Sequence, residues 1–452
     1  VKMDEINSED IGNMVSSINV QDLKEPEPAE EASPYDFILD KIKGLGRYAK
    51  ISSKIIENIS NAGRIIEIDV PVVLERRYGG KELMKIFPGF WVEHSRLLGS
   101  CKGSVNFLPD LTLEKARLNA LNTTLQNSLL GLPFGGASGG VCADRKILTP
   151  KETERLAKNF ANGLAKVTGM NRCILSGGAG CDERLISIMY TACKELRKET
   201  QKSFFLGKQM QDGGIKARSN AIASGIFHLV HEALKEMEVS EIPGLQRHED
   251  IIKKSQKEPK FAIIGFDMIE KELSFMLSAA GCRVLAISDS LGGIASSQGI
   301  RAEDAARWQR NHSSVAGMPK TVKVTNEQIM QINADILIIA SNVRVNRSLL
   351  PKIKASLIVE LQPVLSPLIL EELAKTRMVV PNILASSIGA YADYLEFLQN
   401  NENKYFDRKE IDKKIEEKAK EIFHLVYSTS RQYAASLQDA CYIIALQNFA
   451  KI

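Results

Sequence analysis

Few side chains in this sequence stand where they could do chemistry. Lys102 lies in CKGSVNFLP (101–109), where an ammonium among short and apolar residues could bind an anion or serve only as a structural charge. Ser138 lies in LGLPFGGASGGV (130–141). A serine attacks as a nucleophile only beside a base, and no His or Lys stands in the adjacent loop, so the glycines read as a tight loop kept for packing. Farther on, Phe261–Gly265 has the pattern of a buried strand followed by a helix, and Arg283–Ser288 that of a second strand, the βαβ spacing of a Rossmann half. Gly265 opens the turn where a phosphate would meet a helix N-terminus, but Asp267 and Glu270 follow it, and Asp289 closes the second strand. The six histidines, His94, His228, His231, His248, His312 and His424, are scattered, and only His228 and His231 could share a helix face. Seven cysteines with no C-x-x-C and no paired Cys/His spacing indicate neither a disulfide framework nor a zinc site, and no metal is expected.

The elements that must hold these residues follow from length and periodicity. At roughly 150 residues per domain, 452 residues suggest two to three domains. Apolar residues at 44 % and charged residues at 25 % exclude a disordered or fibrous chain. Fifty-nine Lys and Arg against 55 Asp and Glu leave only +4, too thin and too interleaved for a phosphate-binding surface. The alternating charges of Lys404–Lys420 read as a solvated helix face, and nucleic acid is not an expected partner. No apolar run reaches the roughly 18 residues of a membrane span, so no membrane association is expected. The opening Val1 is what removal of a targeting peptide, or simple trimming of the chain, would leave; the expected compartment is the mitochondrial matrix, with the cytoplasm as alternative.

Residues 1–36, with QDLKEPEPAEEASP at 21–34, read as a flexible N-terminal tail. Residues 37–204 form a first α/β domain: strands at Ile65–Leu74 and near Phe90, and helices starting near Thr112 and at Thr149–Val167 and Glu183–Arg197. Residues 205–381, with apolar runs also at Ala334–Ala340, Ala355–Glu360 and Met378–Val380, form a second, Rossmann-like domain with a doubly wound parallel sheet. Residues 382–452 return as helices to the first domain.

Three stretches, CKGSVNFLP, LGLPFGGASGGV and PNILASSIGAYADYLEFLQN (381–400), together resemble the glutamate dehydrogenase family, whose members also act on Leu, Phe and Val. The likeness runs from about residue 37 to the C-terminus. It implies a hexamer built through the substrate domain, and NAD- or NADP-dependent hydride transfer to a 2-oxo acid. Residue by residue, however, the implied machinery is mostly missing. Lys102 matches the first Lys of the family's K-G-G motif, which binds a substrate carboxylate. The second carboxylate-binding Lys, 24 residues on, is Gln126, which can donate a hydrogen bond but brings no charge. The loop Lys that stabilises developing charge is Ser138, and the acid/base Asp, aligned through Asp182–Glu183, is Gly178. The family's Asn-Ala-Gly-Gly reads Ser386, Ser387, Ile388, Gly389, and the Ser near the distal carboxylate is Asp393, which would repel glutamate.

On the cofactor side G-x-G-x-x-G becomes Gly265, Asp267 and Glu270, the Thr beside the nicotinamide is Ile222, and E-G-A-N reads Glu360, Leu361, Gln362, Pro363. Asp289 is kept near the adenosine ribose. The expectation is a non-catalytic subunit without cofactor, structural or regulatory, in a homohexamer, with an active paralogue or in a larger complex. The alternative is an active NAD- or NADP-dependent dehydrogenase for an amino acid lacking a distal carboxylate.

Overall fold

The computed structural model describes residues 33–75, 83–168, 172–197, 201–239, 258–341, 345 and 347–451. Residues 1–32 of the expected tail lie outside them. The first helix begins inside that tail segment, because Ser33 caps it by accepting the Asp36 amide at 3.3 Å and Pro34 suits the first helical position.

The chain runs through α1 (Pro34–Tyr48), α2 (Ser53–Ile59), β1 (Arg64–Leu74), β2 (Leu83–Ser95), β3 (Cys101–Leu108), α3 (Leu113–Leu129), β4 (Gly135–Cys142), α4 (Pro150–Thr168), β5 (Cys173–Gly177), α5 (Glu183–Arg197) and β6 (Phe205–Leu206). These strands form one sheet in the order β1-β2-β4-β3-β5-β6. Helix α4 shows why sequence and structure agree here. Thr149 and Glu152 exchange hydrogen bonds as a capping box, and Leu156, Phe160 and Leu164 repeat at helical spacing on its buried face.

The segment GGASGGVC is not the expected loop but strand β4, between β2 and β3. It has little side chain because the neighbouring backbones leave no room. A Cβ on Gly139 would lie 2.0 Å from the Phe90 carbonyl oxygen, and one on Gly136 would lie 2.1 Å from Thr124 Oγ1. Glycine at these places is a packing requirement.

The second half contains α6 (Arg218–Val239), β7 (Lys260–Ile264), α7 (Met268–Ala279), β8 (Arg283–Asp289), β9 (Gly292–Ala295), α8 (Ala302–His312), β10 (Val322–Val324), α9 (Asn326–Gln331), β11 (Ile336–Ile339), β12 (Leu357–Glu360), α10 (Pro367–Ala374), β13 (Met378–Val380) and α11 (Asn382–Ala385). Its sheet runs β10-β9-β8-β7-β11-β12-β13. Strands β8, β7, β11, β12 and β13 are parallel, but β9 is antiparallel to both β8 and β10, so the sheet is not parallel throughout. The reversal follows from a tight turn after β8, where the Asp289 side chain accepts the amides of Leu291 and Gly292 and the chain doubles back.

Three helices close the chain: α12 (Ser387–Glu402), α13 (Arg408–Gln432) and α14 (Leu437–Phe449). One compact unit comprises Ser33–Arg218, Ser387–Lys414 and the residues from Asp439 onward; the other comprises Ser219–Ser386 and Ile415–Gln438. The first division thus falls after residue 218 rather than 204, because β6 pairs with β5 of the first sheet. Residues 415–438, expected with the first domain, belong to the second unit. Among the described residues no helix is long and apolar enough to cross a membrane.

Glu360 ends β12 almost fully buried. Its Oε1 accepts the amides of Val364 (3.2 Å) and Leu365 (3.0 Å), and its Oε2 accepts that of Asn382 (3.3 Å). Burial pushes its carboxyl up from 4.5 to about 7, against the pull of those three amides.

Two expectations follow. Gly139→Ala should destabilise the chain by about 3 kcal/mol or more. Gly131→Ala, in open space at φ +65°, should cost only about 1 kcal/mol. Urea denaturation compares them, and equal costs would contradict the packing of β4. For Glu360, the folded chain binds more protons than the unfolded one between pH 4.5 and about 7. Its contribution is therefore full below that window and falls as pH rises through it, by at most about 3 kcal/mol. Glu360→Gln should remove this fall when stability is measured at about pH 5 and about pH 8; an unchanged difference would exclude Glu360 as its source.

Candidate functional site

Strand β3 carries Lys102 into the interior of the first unit, next to Gly103, where a Cβ would meet the Ala137 carbonyl oxygen at 1.8 Å. Lys102 Nζ lies 2.6 Å from Asp393 Oδ2, and both side chains are about 95 % buried. The Arg218 guanidinium, at the start of α6, donates to Asp393 Oδ1. Burial would raise the Asp393 carboxyl, but Lys102 and Arg218 hold it below the usual carboxylate range. Two sequence-predicted residues thus meet, and Arg218, which the sequence reading missed, joins them.

One helical turn on, Glu396 is wholly buried. Its Oε1 accepts from Lys208 Nζ at 2.8 Å, and its Oε2 accepts from the Gly207 amide at 3.0 Å. Lys208 Nζ also donates to the carbonyls of Lys202 and Phe205. Burial pushes the Lys208 ammonium down, and Glu396 works against that. Glu183 is exposed at the start of α5; partial desolvation raises its carboxyl while Arg218 pulls it back. Lys102, Lys208 and Arg218 therefore balance Asp393, Glu396 and Glu183, three cations against three carboxylates. Gln126 sits half-buried on α3.

Ser138 is fully buried on β4, and its Oγ lies 3.2 Å from Ser104 Oγ. The organising side chain is Asn106. Its Nδ2 donates to the Gly139 carbonyl at 3.0 Å and reaches Ser104 Oγ and Ser138 Oγ at 3.2 and 3.4 Å, while its Oδ1 accepts the Ala179 amide at 3.0 Å. None of these partners is a base, so Ser138 has no proton acceptor of the kind a nucleophile needs. Asn106 also lies against Gly178, where a Cβ would come within 2.5 Å of Asn106 Oδ1 and 2.8 Å of the Val105 carbonyl oxygen. A carboxylate side chain cannot begin there without displacing β3. The sequence signal for Asn106 was a polar residue between Val105 and Phe107 on a buried strand.

In the second unit, Gly265 takes φ +106°, close to Ala340. Asp267 is exposed at the N-cap of α7 without capping it. Glu270 is buried within the first turn; burial pushes its carboxyl up and the Asp267 charge adds to that, against backbone hydrogen bonds at the helix start. Asp289 accepts five hydrogen bonds. Leu291 N, Gly292 N and Ser314 Oγ donate to its Oδ1, and Gln309 Nε2 (3.0 Å) and Val315 N (2.6 Å) donate to its Oδ2. Against burial, which would raise it, these donors hold the Asp289 carboxyl low. Gln309 Nε2 also lies 3.3 Å from the Phe266 carbonyl, joining Asp289 to the turn after β7. Ile222 is buried, and Asn382 Nδ2 donates to the Leu361 carbonyl at 2.7 Å. Among the described residues no group of His, Cys, Asp or Glu is placed to hold a metal ion.

The sequence matches the family description "Glutamate/Leucine/Phenylalanine/Valine dehydrogenase" over residues 213–452. The "Glu/Leu/Phe/Val dehydrogenase, dimerisation domain" matches residues 64–195. The chain is 26 % identical over 424 residues to the glutamate dehydrogenase of Thermotoga maritima, covering 93 % of this chain and 97 % of that protein. It is 25 % identical over 417 residues to the NADP-specific glutamate dehydrogenase of Synechocystis, covering 90 % and 93 %. Its fold is similar to that of the hetero-hexameric glutamate dehydrogenase from Thermus thermophilus in a Leu-bound form, with a TM-score of 0.82 at 23 % identity, covering 95 % of this chain and 98 % of that one. With family matches over both parts of the sequence and the two sheets of that fold, the chain belongs to the glutamate/leucine/phenylalanine/valine dehydrogenase family.

Proposed function

We propose that this chain is a non-catalytic member of its family, with a structural or regulatory part in an oligomer formed with itself or with an active relative. The observation that carries this reading is the Ser138–Asn106–Gly178 cluster. Where the family places a cation and a proton-transferring carboxylate, this chain has a buried hydroxyl and a glycine with no room for a side chain, and Asn106 bonds to Ser138 Oγ and to the Ala179 amide beside Gly178. Loss of an acid/base group costs about 10²–10⁴ in rate, and loss of a preorganised electrostatic partner about 10²–10³.

The second unit supports the same reading. A dinucleotide needs open amides for its pyrophosphate and a carboxylate with free acceptor capacity for its ribose. Asp267 and Glu270 put negative charge at the helix start. Asp289, with about four lone-pair sites on its carboxylate, already accepts five donors. These residues do not fit a dinucleotide, and no cofactor is assigned. The other reading, an active NAD- or NADP-dependent amino-acid dehydrogenase with altered substrate, draws on relatives described as NADP-specific and NAD-specific glutamate dehydrogenases.

The oligomeric part rests on β1, an edge strand of its sheet. Val73, Met84 and Ile86, on β1 and β2, are 40 %, 65 % and 56 % exposed, and β1 and β2 pair Val73 with Met84 and Pro71 with Ile86 on one face. Exposed apolar side chains gathered on one face of this edge pair suit a second copy. A relative of similar fold is described as a hetero-hexamer.

The purified chain should show no NAD- or NADP-dependent oxidation of glutamate, and calorimetry should show no binding of either cofactor. Ser138→Lys alone should leave turnover at background, because residues that act as a unit are strongly non-additive. Clear turnover of glutamate by the unaltered chain or by Ser138→Lys would overturn the proposal, and turnover of an amino acid lacking a distal carboxylate would establish the other reading. Light scattering should report an oligomer, and a monomer of 50.0 kDa would remove that part of the proposal.

A further inference from the structure

We infer that Asp393 is the resident anion of the Lys102 position: its carboxylate occupies, on Lys102 and Arg218, the place an external carboxylate would take, so that this site is liganded by its own chain. The inference deepens the non-catalytic reading and rests on it for the family role of Lys102.

The geometry is that of a bound acid. Each Asp393 oxygen meets one cation, Oδ2 with Lys102 Nζ at 2.6 Å and Oδ1 with the Arg218 guanidinium, the charge-assisted grip by which proteins hold a carboxylate. The Lys102 and Asp393 side chains are only 5 % and 4 % exposed, so neither charge is left to water, and among the described residues the donor without a partner beside them is the buried Arg218 Nε. The carboxylate is also fixed in place. On the same helix Glu396 is bonded to Lys208, and Gln399 Nε2 donates to the Gly213 carbonyl at 3.1 Å, which anchors α12 on both sides of the following turn. A ligand that dissociates has a concentration-dependent occupancy; a side chain on an anchored helix stays in place.

Removing the carboxylate should leave two buried cations around a hole of known shape. Alanine at 393 keeps the Cβ and lacks only the carboxyl group, so formate is the molecule that replaces what is missing. Acetate carries one methyl too many. In the full-length chain Asp393→Ala should lower the melting temperature by about 10 °C. Sodium formate at about 50 mM should recover at least half of that loss with saturating dose dependence. Acetate should recover less, and sodium chloride of equal ionic strength should do little. The unaltered chain should respond to none of them beyond the chloride control. If Asp393→Ala does not fold unaided, its refolding yield in formate against that in chloride carries the same test.

A variant that formate stabilises no more than chloride does would overturn the inference, as would an unaltered chain that formate stabilises equally. Either result leaves the non-catalytic reading standing on Ser138 and Gly178. Conversely, glutamate turnover by the unaltered chain would sink that reading while the formate response still reported on Asp393.

Discussion

An ionised carboxylate taken out of water loses several kcal/mol of hydration even after the protein relaxes around it, and α12 carries two of them one helical turn apart. Neither Asp393 nor Glu396 could stay charged in that position alone. Each is matched by a cation from a distant part of the chain, Lys102 from β3 and Lys208 from the segment after β6, with Arg218 shared at the edge of the cluster. Deleting Lys208 would leave the buried Glu396 unmatched and typically costs about 3–5 kcal/mol, whereas deleting Lys102 or Arg218 leaves Asp393 with one cation in place of two. The first unit is therefore held to a particular seating of α12 against its sheet by charge pairing as well as by apolar packing.

The same economy of polar groups governs β3 and β4. Glycines let the two backbones and their neighbours approach closely, which leaves almost no side-chain volume for reactive groups. What polar capacity remains there is used inward: Asn106 bonds to Ser104, Ser138, Gly139 and Ala179. Asp289 in the second unit is used in a comparable way, as the anchor of a turn and of the segment following α8. In each case a group of a type able to meet a ligand is saturated by its own chain.

Much of the fold was legible in the sequence. Periodicity placed α5 at Glu183–Arg197 and β13 at Met378–Val380 residue for residue, and Thr112 was readable as a cap because a hydroxyl before an apolar helical repeat satisfies an orphan amide. The errors have physical causes. GGASGGVC reads as a loop by composition, yet it is a strand, because the constraint lies in the backbones on either side and not in its own residues. The reversed strand β9 is short, and its direction was set by one carboxylate in a turn. At the site, residue types were legible and pairings were not. Lys102 and Asp393 could each be singled out, but nothing local announces that they meet, and Arg218, Lys208 and Gln309 become visible only once distant segments are brought together.

A site satisfied by its own chain also changes how the folded population responds to surroundings. A protein whose buried cations wait for a metabolite is stabilised by mass action when that metabolite is abundant, and a larger fraction unfolds when it is scarce. With Asp393 as a covalently attached occupant, that linkage disappears: the folded fraction, and with it the lifetime against proteolysis, is set by sequence, temperature and pH and does not follow the supply of small acids. Paired with any chain whose stability rises and falls with its ligand, such a chain contributes a constant.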